Sequence, residues 1–249
     1  MKVILKASFL PKAGNSLEEY EDAYYPSESA PDDVTSLRIA VADGATETSF
    51  SRLWANLLAR GYCERTINPD ALEVGLRGCQ ADWKQSVQDK PLPWYAEQKI
   101  ADGAFAAIVG LELFHENRNW VAFAVGDCCV FHTREDSILA SFPLDAAEQF
   151  DNRPLLVSSV AGNNRSVFGA MKTTSGVWES GDTFYLMSDA LAAWFLKGVE
   201  KTADPIGWLK AISTQELFAD FVSRQRADVV DGQPLMRNDD VTLLACTVT

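Results

Sequence analysis

Apolar positions along this chain follow two rhythms, one suited to buried strands and one to helices. Leu37 to Ala42, Trp120 to Val125, Thr183 to Met187 and Val241 to Cys246 are short continuous apolar runs and read as strands. Phe50, Leu53, Trp54, Leu57 and Leu58 recur at helical spacing, with Thr48 or Ser49 as N-cap and Gly61 near the stop. Leu72, Leu76, Cys79 and Trp83 mark a second helix after Pro69, ended by Pro91-Leu92-Pro93. Leu191, Trp194 and Phe195 predict a third helix, and Trp208, Leu209 and Ile212 a fourth. The capping box Ser213-Thr214-Gln215-Glu216 introduces a fifth, which carries Leu217, Phe218, Phe221 and Val222. Trp54, Trp83, Trp194 and Trp208 are expected in the core, and His132 is expected to be only a strand residue.

Gly103 to Leu113 and Trp120 to His132 flank the polar Asn117-Arg118-Asn119 and read as a hairpin. Residues 134 to 165, with Pro143, Pro154 and Gly162-Asn163-Asn164, are turn-rich, and nothing in them looks catalytic. Strands, a helix pair, a hairpin, then strands, helices and a last strand indicate α+β segregation rather than βαβ alternation. No repeat, low-complexity tract or linker interrupts the chain, so one domain over residues 1–249 is expected.

The polar residues at the ends of these runs change the picture. Asp43-Gly44, Gly126-Asp127 and Ser188-Asp189 follow three of the strands, and Asp239-Asp240 precedes the fourth. Another acidic pair, Glu21-Asp22, stands where Tyr20 to Pro26 reads as the start of a further strand. Each pair alone suits a turn, since Asp and Gly are turn residues. Four in series at strand ends demand more, because a carboxylate at the end of a buried strand is penalised unless a cation offsets it. Bound divalent metal is the economical explanation.

Composition narrows the chemistry. The chain has 249 residues, 47% of them apolar, enough for a sizeable core. No apolar stretch approaches the roughly 20 residues of a membrane span, and Met1 to Lys6 shows no secretory h-region, so a cytoplasmic protein is expected. The net charge of −13, from 22 basic against 35 acidic residues, disfavours nucleic acid and anionic membrane as partners. Cys63, Cys79, Cys128, Cys129 and Cys246 are odd in number and form no CxxC pair, which fits reduced core thiols. With only His115 and His132 there is no zinc spacing; oxygen ligands favour magnesium or manganese.

The ordered motifs Glu21-Asp22, Asp43-Gly44, Gly126-Asp127, Ser188-Asp189-Ala190 and Asp239-Asp240-Val241-Thr242 resemble those of the metal-dependent PPM family of serine/threonine protein phosphatases, the type 2C enzymes. The resemblance spans Glu21 to Thr242. It implies a four-layer α/β/β/α sandwich of two mainly antiparallel sheets, with the metal cleft at one sheet edge. It further implies a phosphoserine/phosphothreonine protein phosphatase in which two divalent ions activate a water for in-line attack. Asp43 would bridge both ions and Gly44 would offer its carbonyl. Asp189 and Asp239 would complete the second ion, Glu21 would act directly or through water, Asp22 through a hydrogen-bonded water, and Asp127 would help Asp189 hold a third ion. Asp240, in place of the family's Asn, would support the site. Asp43, Asp189 and Asp239 are thus the expected catalytic carboxylates, Mg²⁺ or Mn²⁺ the expected cofactor, and a phosphoprotein the substrate, opposed by a cognate kinase.

Three departures accompany the resemblance. Leu17 stands where the family has a phosphate-binding arginine, which leaves Lys12 or Arg52 to replace it. Ala45 stands where some members have a histidine. Ala190 replaces a glycine and is tolerated only at negative φ. A pseudophosphatase acting as a regulatory binding module is the alternative, and a phosphodiesterase acting on a small nucleotide is a third reading.

Overall fold

A computed structural model describes residues 1–26, 34–46, 48, 50–88, 100–150, 153–201 and 203–249 of the chain. It begins with β1 (Val3–Leu10), β2 (Ala23–Tyr25) and β3 (Ser36–Gly44), followed by α1 (Ser51–Cys63) and α2 (Leu72–Gln88). Next come β4 (Phe105–Phe114), β5 (Asn119–Val125), β6 (Cys129–Arg134), β7 (Ser137–Phe142), β8 (Val157–Ser158), α3 (Arg165–Ala170), β9 (Lys172–Val177) and β10 (Thr183–Met187). The C-terminal part holds α4 (Asp189–Glu200), α5 (Pro205–Ala211), α6 (Gln215–Ala227), the short ribbon β11 (Val229–Val230) and β12 (Gln233–Pro234), and β13 (Val241–Val248).

Two antiparallel sheets result, in the orders β1-β13-β10-β6-β7 and β2-β3-β4-β5-β9, with β8 paired to β4. Alternation along β3 explains how they stack, since successive side chains point to opposite faces. Ile39 and Val41 meet Val109, Leu111, Phe184, Leu186 and Leu244 between the sheets. Ala40 and Ala42 face outward, where Trp54, Leu58, Leu76 and Trp83 of α1 and α2 cover them. On the opposite side Leu191, Phe195, Leu209 and Phe218 of α4, α5 and α6 cover Phe131, Tyr185, Met187 and Leu243. Helices therefore enclose both sheets in four layers. Strands buried on both faces lose hydrophobic alternation, which is why they appear in the sequence as unbroken apolar runs.

The structure corrects several details of the sequence reading. Trp120 to His132 is not one hairpin arm: β5 and β6 belong to different sheets, and the chain crosses between them at 126–128. Gly126 makes the crossing with φ +93°, and a Cβ there would lie 2.6 Å from that of Ala107. The N-cap of α1 is Phe50, at φ 63°, while Thr48 donates its hydroxyl to the Ala45 carbonyl at 2.9 Å. Ser49 and the Pro91-Leu92-Pro93 stop lie outside the described residues. Gly61 does stand near the stop of α1, two residues before Cys63, where a Cβ would crowd the Cys79 sulfur at 2.9 Å. Thr214 alone accepts from the Leu217 N–H to cap α6, and Ser213 lies outside the helix. Trp208 is 56% exposed rather than core. The turn-rich stretch contains β7 and β8, and β1 and β9 carried no clear sequence signal.

Candidate active site

Antiparallel pairing brings the strand-end acids to one edge of the sandwich. Asp43 and Gly44 end β3, and Glu21-Asp22 precedes β2. The pair Ala23 with Ala42 therefore sets Asp22 beside Asp43. In the facing sheet Met187 pairs with both Leu243 and Cys129, which aligns Ser188-Asp189, Asp239-Asp240 and Asp127 at the corresponding ends. Asp43, Gly44, Asp127, Asp189 and Asp239 consequently line one cleft of about 530 Å³, within the usual range of ligand sites. Asp22 lies just behind it, 2% exposed.

Burial and mutual repulsion hold Asp22, Asp43 and Asp189 toward their neutral forms. The Asp43 carboxyl is pushed well above the usual range by burial and then by the neighbouring Asp22, Asp189, Asp127 and Asp239. Asp22 is raised to about 8, again mainly by burial, although a bond from Thr242 opposes the shift. Burial also raises Asp189, against the pull of Arg237. Oδ1 of Asp22 and Oδ1 of Asp189 are buried without a hydrogen-bond partner. Such atoms cost free energy unless a cation or donor reaches them.

Hydrogen bonds hold the acidic segments in register. Thr242 donates its hydroxyl to Asp22 at 2.6 Å, and its N–H donates to the Ser188 hydroxyl at 2.9 Å. Asp240 accepts from the Lys12 N–H at 2.7 Å and from the Glu21 N–H at 2.6 Å, fastening the N-terminal loop to the start of β13. Glu21 accepts from Ser51 and lies in an adjoining hollow with Glu18, Glu19 and Arg52. Gly44 admits this close approach, since a Cβ there would meet the Glu21 carbonyl at 2.7 Å. Ala190 is the second residue of α4, so its backbone is helical and needs no glycine.

Cationic side chains are placed differently from the sequence expectation. Lys12 and Arg52 do not line the cleft; Arg52 donates to the Leu17 and Glu18 carbonyls at 2.9 and 3.2 Å. Leu17 is 60% exposed. The arginines lining the cleft are Arg153 and Arg237. The Arg237 Nη2 donates to the Asp189 carboxylate, and its Nε lies 3.4 Å from Oδ2 of Asp239. Sequence reasoning missed both. Arg237 could have been suspected from its place two residues before Asp239, whereas Arg153 lies in a stretch without any motif.

Five carboxylates, a glycine carbonyl and two buried unpartnered oxygens suit a hard divalent cation by chemistry. As they stand, no three described acidic, histidine or cysteine side chains meet the geometry of an ion site. Asp189 and Asp239 are turned instead toward Arg237. The Cys128 thiol beside them is pushed well up by burial and by Asp43 and Asp127, and so stays protonated. No described helix is long and apolar enough to cross a membrane.

A family profile described as "Protein phosphatase 2C" matches residues 19–238. No curated protein matches the sequence. Among solved structures, the photosystem II phosphatase PBCP is 14% identical with a TM-score of 0.63, covering 100% of this chain and 99% of its own. PppA, a regulatory component of the type VI secretion system in Pseudomonas aeruginosa, is 15% identical, with a TM-score of 0.59 over 100% and 99% of the two chains. The serine/threonine phosphatase PstP catalytic domain, solved with two manganese ions, is 13% identical, with a TM-score of 0.54 over 100% of both chains. At these identities the likeness is one of fold.

Proposed function

The chain belongs to the protein phosphatase 2C family, and from that premise we propose that it is a metal-dependent phosphoserine/phosphothreonine protein phosphatase. The observation that carries this reading is the convergence of Asp43, Asp127, Asp189 and Asp239 from both sheets on one cleft. Mg²⁺ or Mn²⁺, two or three ions, is the proposed cofactor, and the manganese-bound PstP domain supports that choice. When bound, the ions supply Lewis acidity toward phosphoryl oxygens and a water of lowered pKa.

The chain's own residues do the rest. Asp43, with the Gly44 carbonyl, would hold ions at the end of β3, and Asp189 and Asp239 would hold them from the opposite sheet. Asp127 would do so from the crossing between sheets, with Asp22 and Glu21 contributing behind. Thr242 orients Asp22, Ser188 holds the Thr242 backbone, and Asp240 anchors the backbone of Glu21. A cleft of about 530 Å³ has room for a phosphorylated side chain, and phosphoproteins made by an opposing kinase are the proposed substrates. The five free cysteines support a reducing, cytoplasmic setting.

One observation favours the second reading, a catalytically weak regulatory module. The Arg237 guanidinium pairs with Asp189 and Asp239 where an ion would be held, and Leu17 offers no phosphate contact. Phosphate release from phosphothreonine and phosphoserine peptides separates the two, with Mn²⁺, Mg²⁺ or EDTA and with the Asp43→Asn protein as control. Metal-dependent turnover that drops at least about a hundredfold in Asp43→Asn supports the phosphatase. Absence of turnover in a folded wild type with every metal would transfer the assignment to the binding module.

A further inference from the structure

A phosphomonoester entering this cleft meets Asp43, Asp127, Asp189 and Asp239, all potentially of its own sign. Among the described residues lining the cleft, the side chains that can attract it are Arg153 and Arg237. Arg237 touches Asp189 and Asp239, yet its side chain is 44% exposed. A guanidinium presents a fork of donors matched to phosphate oxygens. Its present partners are two of the proposed ion ligands, so an ion that takes up Asp189 and Asp239 displaces the guanidinium from them. The side chain then has both the freedom and the electrostatic reason to turn to the incoming dianion.

Resting on the phosphatase reading above, we propose that Arg237 is the substrate-phosphate residue of this cleft and that its pairing with Asp189 and Asp239 is the position it leaves when a divalent ion enters. Two effects of one residue then run in opposite directions. Removing the guanidinium takes away a competitor of the ion, so metal binding tightens. It also takes away the phosphate's partner, so phosphate binding weakens.

Isothermal titration of the full chain with MnCl₂, and then of the Mn²⁺-loaded protein with inorganic phosphate, reads both. Arg237→Ala is expected to bind Mn²⁺ about tenfold more tightly and phosphate about ten- to hundredfold more weakly than wild type. Arg237→Lys, which keeps the charge without the fork, is expected to fall between them in phosphate affinity, a rescue that a merely structural role would not produce. Unchanged or weaker Mn²⁺ binding in Arg237→Ala would overturn the displacement, and unchanged phosphate binding would overturn the assignment. Loss of phosphate binding in Arg153→Ala but not in Arg237→Ala would give the role to Arg153. A wild type that binds Mn²⁺ and turns over phosphopeptide alongside an indifferent Arg237→Ala defeats this inference alone. A wild type that binds no Mn²⁺ defeats the phosphatase reading as well.

Discussion

Asp43 shows how a single side chain is held against its own preference. It sits at the end of a strand buried on both faces, beside Asp22, and after burial the neighbouring Asp22, Asp189, Asp127 and Asp239 raise its carboxyl further. Such an arrangement is costly to the metal-free fold and useful only to a cation, the usual opposition between stability and function. Asp43→Asn keeps the shape and removes the charge. In EDTA the variant is expected to melt about 2–4 °C above wild type, on the order of 1 kcal/mol gained. With saturating Mn²⁺ the order should reverse, because the variant loses an ion ligand and the stabilisation that ion binding confers. Scanning calorimetry under both conditions checks it; a variant less stable than wild type in EDTA would show that Asp43 is not under net repulsion. The signal for Asp43 was legible in the sequence as Asp-Gly after an apolar run. Arg237 was legible only as a neighbour of Asp239, since its pairing with Asp189, 48 residues away, exists only once the chain is folded.

At the level of elements, the passage from β5 to β6 determines the site more than any helix does. A continuous apolar run from Trp120 to His132, broken only by Gly126-Asp127, looks like one strand, yet it supplies two strands to two sheets. Gly126 permits this by adopting φ +93° within van der Waals reach of Ala107, and the turn leaves Asp127 in the lining of the cleft. Gly126→Ala therefore combines an unfavourable left-handed backbone with a steric clash, and is expected to cost about 2–4 kcal/mol in urea denaturation. A cost below about 0.5 kcal/mol would mean that the crossing tolerates another backbone path. The same logic explains the cap of α1. Helical periodicity located the helix, but the residue that starts it is Phe50, because Thr48 is engaged with Ala45 and Phe105 in the loop leaving Asp43-Gly44.

Across the whole molecule, chemistry and stability are placed at opposite ends of the strands. Away from the cleft, before β10, Asp182 accepts from Arg134 at 2.7 and 3.0 Å, from the Glu179 N–H at 2.8 Å and from His132 at 2.8 Å. Burial alone would raise this carboxyl, but Arg134, the Glu179 N–H and His132 bring it down to about 2. A depressed carboxyl contributes stability that is present above its unfolded pKa near 4 and is lost as pH falls toward 2. Burial lowers His132, against its bond to Asp182, so its contribution likewise fades as acid protonates it. Asp182→Asn is expected to cost about 2 kcal/mol at pH 7 and less at pH 3, while leaving Mn²⁺ affinity within about twofold of wild type. Equal costs at both pH values in denaturant titrations would remove the charge argument, and a large loss of Mn²⁺ affinity would show that the two ends are coupled.

The sequence by itself determined the material of this protein: strands buried on both faces, amphipathic helices to cover them, and carboxylates at the strand ends that ask for a cation. These are properties of neighbouring residues, set by burial and backbone period, and so they survive in one dimension. Tertiary structure alone decided which sheet each strand joins, that Asp240 would clasp the backbone of Glu21 from 219 residues away, and that Arg237 would stand between Asp189 and Asp239. Charge pairing and hydrogen bonding are contacts in space, a few ångströms in range, and no local pattern records which distant partner the fold will bring within that reach.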